Sequence, residues 1–85
     1  MDVDLALRRA IERICGVSAD GIEPSSTLED LGIDSLSAAE LITDVEMRTG
    51  RELPVDILRH LAQVRTVGEV ADYMRAALDE PSQSA

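Results

Sequence analysis

Along the first segment apolar residues return every three or four positions: Val3, Leu7, Ala10, Ile11, Ile14 and Cys15 share one side, with Arg8, Arg9, Glu12 and Arg13 opposite. That spacing predicts a helix over residues 3–15, with Asp2 or Asp4 as its starting cap and Gly16 as its stop. A second stripe, Ala38, Leu41, Ile42, Val45 and Thr49, predicts a helix over 35–49 that ends at Gly50. Proline is accommodated at a first helical position, so Leu53-Pro54 can open a short third helix holding Val55, Ile57, Leu58 and Leu61. Thr66 and Glu69 form a capping box ahead of Val67, Val70, Ala71, Met74, Ala77 and Leu78, which predicts a fourth helix over 67–79.

No helical stripe crosses residues 17–34, where Gly21, Pro24, Ser25 and Ser26 interrupt any period. The segment still carries Val17, Ile22, Leu28, Leu31 and Ile33, and Ser26 with Glu29 fits a capping box for one short turn. A loop this long in so small a domain is more often functional than a passive connection. Residues 80–85 have too little apolar content to offset the entropy of ordering them and are expected to form a flexible tail behind a domain over 1–79. Neither an internal repeat nor strand alternation appears. The expected fold is all-α: a small four-helix bundle of three main helices and a short third one, with a long loop between helices 1 and 2.

Composition narrows the function. Seventeen acidic residues against eight basic ones give a formal net charge of -9, which repels phosphate backbones and anionic lipid headgroups, so neither nucleic acid nor membrane is an expected partner. The basic residues are all arginine, which removes Schiff-base catalysis and the phosphate-binding lysine of a P-loop. Tyr73 is the one aromatic of the Phe, Trp and Tyr set, which leaves base stacking almost nothing to use. Cys15 alone cannot close an internal disulfide, and Met1-Asp2-Val3-Asp4 lacks the basic, apolar start of a secretion signal, so the cytoplasm is the expected address. The joint lack of Lys, Asn and Phe, all written in A/T-rich codons, suits a high-G+C genome.

The segment Gly32-Ile33-Asp34-Ser35-Leu36 joins the long loop to the second helix. Asp34 stands at the N-cap position, which makes Ser35 the first helical residue with its hydroxyl pointing outward. Nearby N–H groups and the positive end of the helix dipole favour a phosphate ester on that oxygen. Most Asp-Ser pairs at helix starts are only caps, but here Leu36 and Met47 form a second apolar pair away from the inward stripe. Ala39, Glu40, Thr43 and Asp44 lie between and beside them, giving an apolar contact followed by an acidic strip that suits a basic docking surface and fast, reversible association.

Glu29-Asp30-Leu31-Gly32-Ile33-Asp34-Ser35-Leu36, followed by Ala39-Glu40-Leu41, resembles the prosthetic-group site of acyl carrier proteins. The likeness spans about residues 3–79 and includes Leu53-Pro54 and Thr66-Val67. It implies that a separate, magnesium-using phosphopantetheinyl transferase esterifies Ser35 with 4'-phosphopantetheine, with Asp34 assisting attachment. It also implies that the arm's thiol holds an acyl group as a thioester. Leu36, Ala39, Glu40, Thr43, Asp44 and Met47 then fall on the partner-docking helix, facing acyltransferase, ketosynthase or acyl-ligase type enzymes with basic surfaces. The chain itself would be a monomer without catalytic residues. Thr43 and Arg48 among the acids of helix 2, and the long segment Arg59–Arg65, depart from the commonest fatty-acid carriers and incline the reading to a specialised pathway such as polyketide assembly.

Other readings have less support. A serine hydrolase would have only His60 as base and lacks a G-x-S-x-G turn. His60 is expected to be a solvated residue of helix 3 and Cys15 a core thiol. A calcium loop built on Gly21 would put Gly16, Ser18 and Thr27 at ligand positions, so no metal site is expected. The competitors that stay open are an unmodified helical interaction module that docks basic partners through helix 2, and a peptidyl carrier domain. A His before the serine is common in peptidyl carriers, and Asp34 stands there instead.

Overall fold

In the computed structural model, residues 2–79 are described. The tail expected over 80–85 lies outside them. Among the described residues four α-helices follow one another: α1 Val3–Cys15, α2 Ser35–Thr49, α3 Ile57–Leu61 and α4 Val67–Asp79. Asp2, not Asp4, caps α1, its carboxylate accepting from the Leu5 amide at 3.3 Å. Both α1 and α2 stop at glycines in the left-handed region, Gly16 and Gly50.

Helix α1 packs against α2 and α4, and the small residues Ala6, Ala10, Ala38 and Ala71 of these helices are buried. Between them Leu7, Ile11, Leu41, Val45, Val70 and Met74 are almost wholly buried, so an aliphatic core replaces the missing large aromatics. Ile14 and Cys15 are only half-buried at the end of α1, and burial pushes the Cys15 thiol pKa up.

Helix α3 begins later than its sequence suggests. Pro54 closes a turn instead, its carbonyl accepting from the Ile57 amide at 3.1 Å, and Val55 is left fully exposed. Only Ile57 and Leu61 of the expected set are buried. Leu53 is buried ahead of the turn, and its amide donates to the carboxylate of Glu46 on α2 at 2.8 Å.

The 17–34 segment is a loop, but a pinned one. It contains a 3-10 turn over Ala19–Gly21 and buries Ile22. An α-helix starts with unpartnered amides, and α4 fills them from this loop. The Val67 amide donates to the Ser26 carbonyl at 2.8 Å and the Gly68 amide to the Pro24 carbonyl at 2.9 Å, while Thr66 and Glu69 form the reciprocal capping box. A Cβ at Gly68 would stand 3.1 Å from the Pro24 carbonyl, tighter than an ordinary contact, so the close approach favours glycine. Leu28 donates to the Arg65 carbonyl at 2.9 Å beside an isolated Thr27–Thr66 bridge, which fixes the loop's far end to the same helix start.

Candidate functional site

The loop reaches α2 through a single helical turn. Thr27 caps it, its hydroxyl accepting from the Asp30 amide at 3.1 Å, whereas Ser26 turns back to accept from the Glu23 amide; the expected Ser26–Glu29 box is therefore replaced by a cap one residue later. The turn ends in a Schellman motif: the Ile33 amide donates to the Leu28 carbonyl at 2.9 Å and the Gly32 amide to the Glu29 carbonyl at 3.0 Å. This geometry requires φ of +77° at Gly32, which only glycine adopts at little cost. It brings Leu28 and Ile33 together and delivers Asp34 to the start of α2.

Asp34 is the N-cap of α2, its carboxylate accepting from the Ser37 amide at 2.9 Å. That backbone hydrogen bond holds the Asp34 pKa below the usual carboxylate value. Ser35 is the first residue of the helix and is exposed. It stands beside an open groove of about 680 Å³ formed by Leu28, Ile33, Ala38 and Leu41 on one side and Leu58 and Leu61 on the other, with Glu29 and Arg59 also in its wall. Within this groove the exposed hydroxyl, helix amides and apolar walls occur together.

Along the outer face of α2, Leu36 is 71% and Met47 78% exposed, so neither belongs to the core. Glu40 and Thr43 are exposed between them and Ala39 is half-buried. Asp44 departs from this face. It is only 7% exposed, and its two oxygens each accept at 2.5 Å, one from Arg13 of α1 and the other from Arg48 one turn along α2. Burial alone would raise its pKa; the two guanidinium hydrogen bonds and charges outweigh that and hold it below the usual value. The same contact raises the Arg13 pKa. The acidic strip expected on this face thus loses Asp44, and Glu46 is half-buried against Leu53. The i, i+4 spacing of Asp44 and Arg48, with Asp44 three residues after Leu41, is the signal that could have found the pair.

His60 is exposed on α3 and its ring stacks on Tyr73 of α4, centroids 3.8 Å apart. The structure pairs it with no acid among the described residues. No group of three His, Cys, Asp or Glu side chains converges there on a possible metal position. No described helix is long and apolar enough to cross a membrane.

The site thus consists of an exposed serine opening the second helix of a four-helix bundle beside an apolar groove. The phosphopantetheine attachment site family matches residues 6–74. The chain is 32% identical over 85 residues to the meromycolate extension acyl carrier protein of Mycolicibacterium aurum, covering 99% of this chain and 84% of that protein. It is also 31% identical over 72 residues to an acyl carrier protein of Acidothermus cellulolyticus, covering 84% and 82% of the two chains. A segment amounting to 3% of the non-reducing polyketide synthase AC of Didymella fabae is 34% identical over 73 residues, 86% of this chain. The chain belongs to the phosphopantetheine-binding acyl carrier family.

Proposed function

We propose that Ser35 is the attachment residue for 4'-phosphopantetheine and that the chain holds acyl groups for enzymes that dock on α2. The observation that carries this is Ser35 itself, exposed at the first position of α2 and beside the groove. When attached, the arm supplies a thiol that holds an acyl group as a thioester. The chain's own part is to present and position. The helix amides and dipole favour the phosphate at Ser35. Asp34 fixes the helix start through Ser37, and its carboxylate is ionised where a magnesium-using transferase would work.

Leu36, Ala39, Glu40, Thr43 and Met47 form the proposed docking face, and Asp44 holds α1 and Arg48 beneath it. A tethered group meets each enzyme at high effective concentration, which is how a carrier serves reactions that its partners catalyse. The proposed setting is polyketide or related specialised biosynthesis, supported by the similar segment of a polyketide synthase. Fatty acyl elongation is the second reading, favoured by the meromycolate-extension relatives and the aliphatic groove.

Intact-mass measurement after incubation with coenzyme A and a broad-specificity transferase tests the attachment. A phosphopantetheine mass gain that Ser35→Ala abolishes supports it. No gain with a transferase that loads a control carrier points instead to an unmodified interaction module.

A further inference from the structure

We propose that the stack of His60 on Tyr73 is a brace that holds the α3 wall of the groove in place beside Ser35, which makes both rings positioning residues for the group the carrier shelters there. This deepens the carrier reading above and rests on it. Alone, α3 is a weak wall. Five residues are too few for a helix to persist by itself in water, and its N-cap, Asp56, makes no side-chain capping bond. Yet Leu58 and Leu61, three positions apart and so on one side of α3, supply the wall opposite Ala38 and Leu41. The backbone is tied at a distance, by Leu53 to Glu46 before α3 and by Arg65 to Leu28 after it. Between those ties α3 is held by the burial of Ile57 and Leu61 and by the stack.

The chain has one histidine, one tyrosine and no Phe or Trp, so its two side-chain rings of this kind meet in a single contact. Their centroids lie 3.8 Å apart with the planes 20° from parallel, which is face-to-face contact at van der Waals distance. His60 is exposed and Tyr73 half-buried against the core, so the pair sits at the rim of the core and not inside it. Neither ring lines the groove, but Tyr73 stands one turn along α4 from Val70, which does. The stack therefore joins the α3 wall to the α4 side of the groove from outside it. A short helix held by two buried side chains and one surface stack is poised to open, and loss of the stack shifts that balance without emptying a core position.

Amide hydrogen exchange in the full chain, before any loading, provides the first test. The Ala62 amide donates to the Leu58 carbonyl and the Val64 amide to the Leu61 carbonyl, so both report the opening of α3, while Ile11 and Val45 in the core report the whole fold. In the parent, Ala62 and Val64 should exchange faster than Ile11 and Val45, because α3 opens before the fold does. His60→Ala should speed Ala62 and Val64 by about threefold to tenfold, the range of one aromatic pair, and His60→Phe, which keeps a stacking ring, should restore most of the protection. The second readout is hydrolysis of an octanoyl thioester loaded from octanoyl coenzyme A by a transferase. A small loss of overall stability leaves nearly every molecule folded and does not move that rate. An opened groove wall does, so hydrolysis should rise by the same factor in His60→Ala and fall back in His60→Phe. Exchange at Ala62 and Val64 no faster than in the core, rates indifferent to His60→Ala, His60→Phe as fast as His60→Ala, or faster exchange with unmoved hydrolysis would each overturn the brace. A chain that accepts no arm from a transferase active on a control carrier sinks the carrier reading instead, and with it the sheltered group; exchange, which needs no arm, then still decides whether the stack holds α3.

Discussion

Arg13 of α1 donates to Asp44 of α2 at 2.5 Å, a charge contact that ties the two helices beneath the outer face of α2. Asp44 also accepts from Arg48, so its removal leaves two cations without their shared counter-charge. Asp44→Ala should cost about 1.5–3 kcal/mol, the range for hydrogen bonds to charged groups. Urea unfolding reads this as a lower midpoint at unchanged slope. An unmoved midpoint would show that the pair contributes nothing to stability.

Gly32 sets the path into the site. Its φ of +77° closes the Schellman motif, and nothing crowds its Cα, so a substitution there strains the backbone and not the packing. Gly32→Ala should cost about 1–2 kcal/mol, the penalty of a left-handed non-glycine residue. It should also slow phosphopantetheine loading, because Asp34 and Ser35 follow two and three residues later. A variant as stable and as readily loaded as the parent would mean that the turn does not position the serine.

The two sides of α2 make opposite predictions. Leu41 is 1% exposed and Leu36 71%. Leu41→Ala should cost about 2–5 kcal/mol, the range for emptying a core leucine position. Leu36→Ala should stay within about 0.5 kcal/mol, as surface changes do, and yet weaken enzyme docking. Thermal unfolding with a loading or transacylation assay separates these effects, and a core-sized penalty at Leu36 would reverse the face assignment.

A formal net charge of -9 implies self-repulsion, and salt screens it over a Debye length of about 8 Å at physiological ionic strength. Added sodium chloride or magnesium should therefore raise the melting temperature. The exposed pair Arg9–Glu12 weakens under the same screening but contributes little. A melting temperature that falls with salt would place the ion pairs above the repulsion.

Helices α1, α2 and α4 were legible because each has a long stripe and local punctuation: Gly16 and Gly50 as stops, Asp34 as a cap, Thr66 with Glu69 as a box. The Asp34–Ser35 junction was legible for the same reason. What escaped depends on contacts distant in sequence. The pinning of Pro24 and Ser26 to Gly68 and Val67 joins segments that no local period relates. Asp44 passed for a surface acid because its partner Arg13 lies on another helix. At Leu53-Pro54 the ambiguity was local: proline suits a turn as well as a first helical position, and here the turn prevails.

Three carboxylates give the fold a defined response to acid. Asp34 is stabilised as an anion by the Ser37 amide, Glu69 by the amides of Arg65 and Thr66, and Asp44, against its burial, by Arg13 and Arg48. All three have folded pKa values below their unfolded ones, which are about 3.9 for Asp and 4.3 for Glu. Their contribution is therefore fully present above those unfolded values and is lost as pH falls through the folded ones. Protonation of the remaining acids relieves self-repulsion in the same window, so the net slope alone does not isolate the three sites. Asp34→Asn with Glu69→Gln does. Both amides can still accept the capping hydrogen bonds but no longer titrate, so the double variant should start less stable at neutral pH and lose less between about pH 5 and pH 3. Urea midpoints across that range, at constant ionic strength, should converge for variant and parent as pH falls. Parallel curves would mean that the cap carboxylates bind protons equally in the folded and unfolded chains.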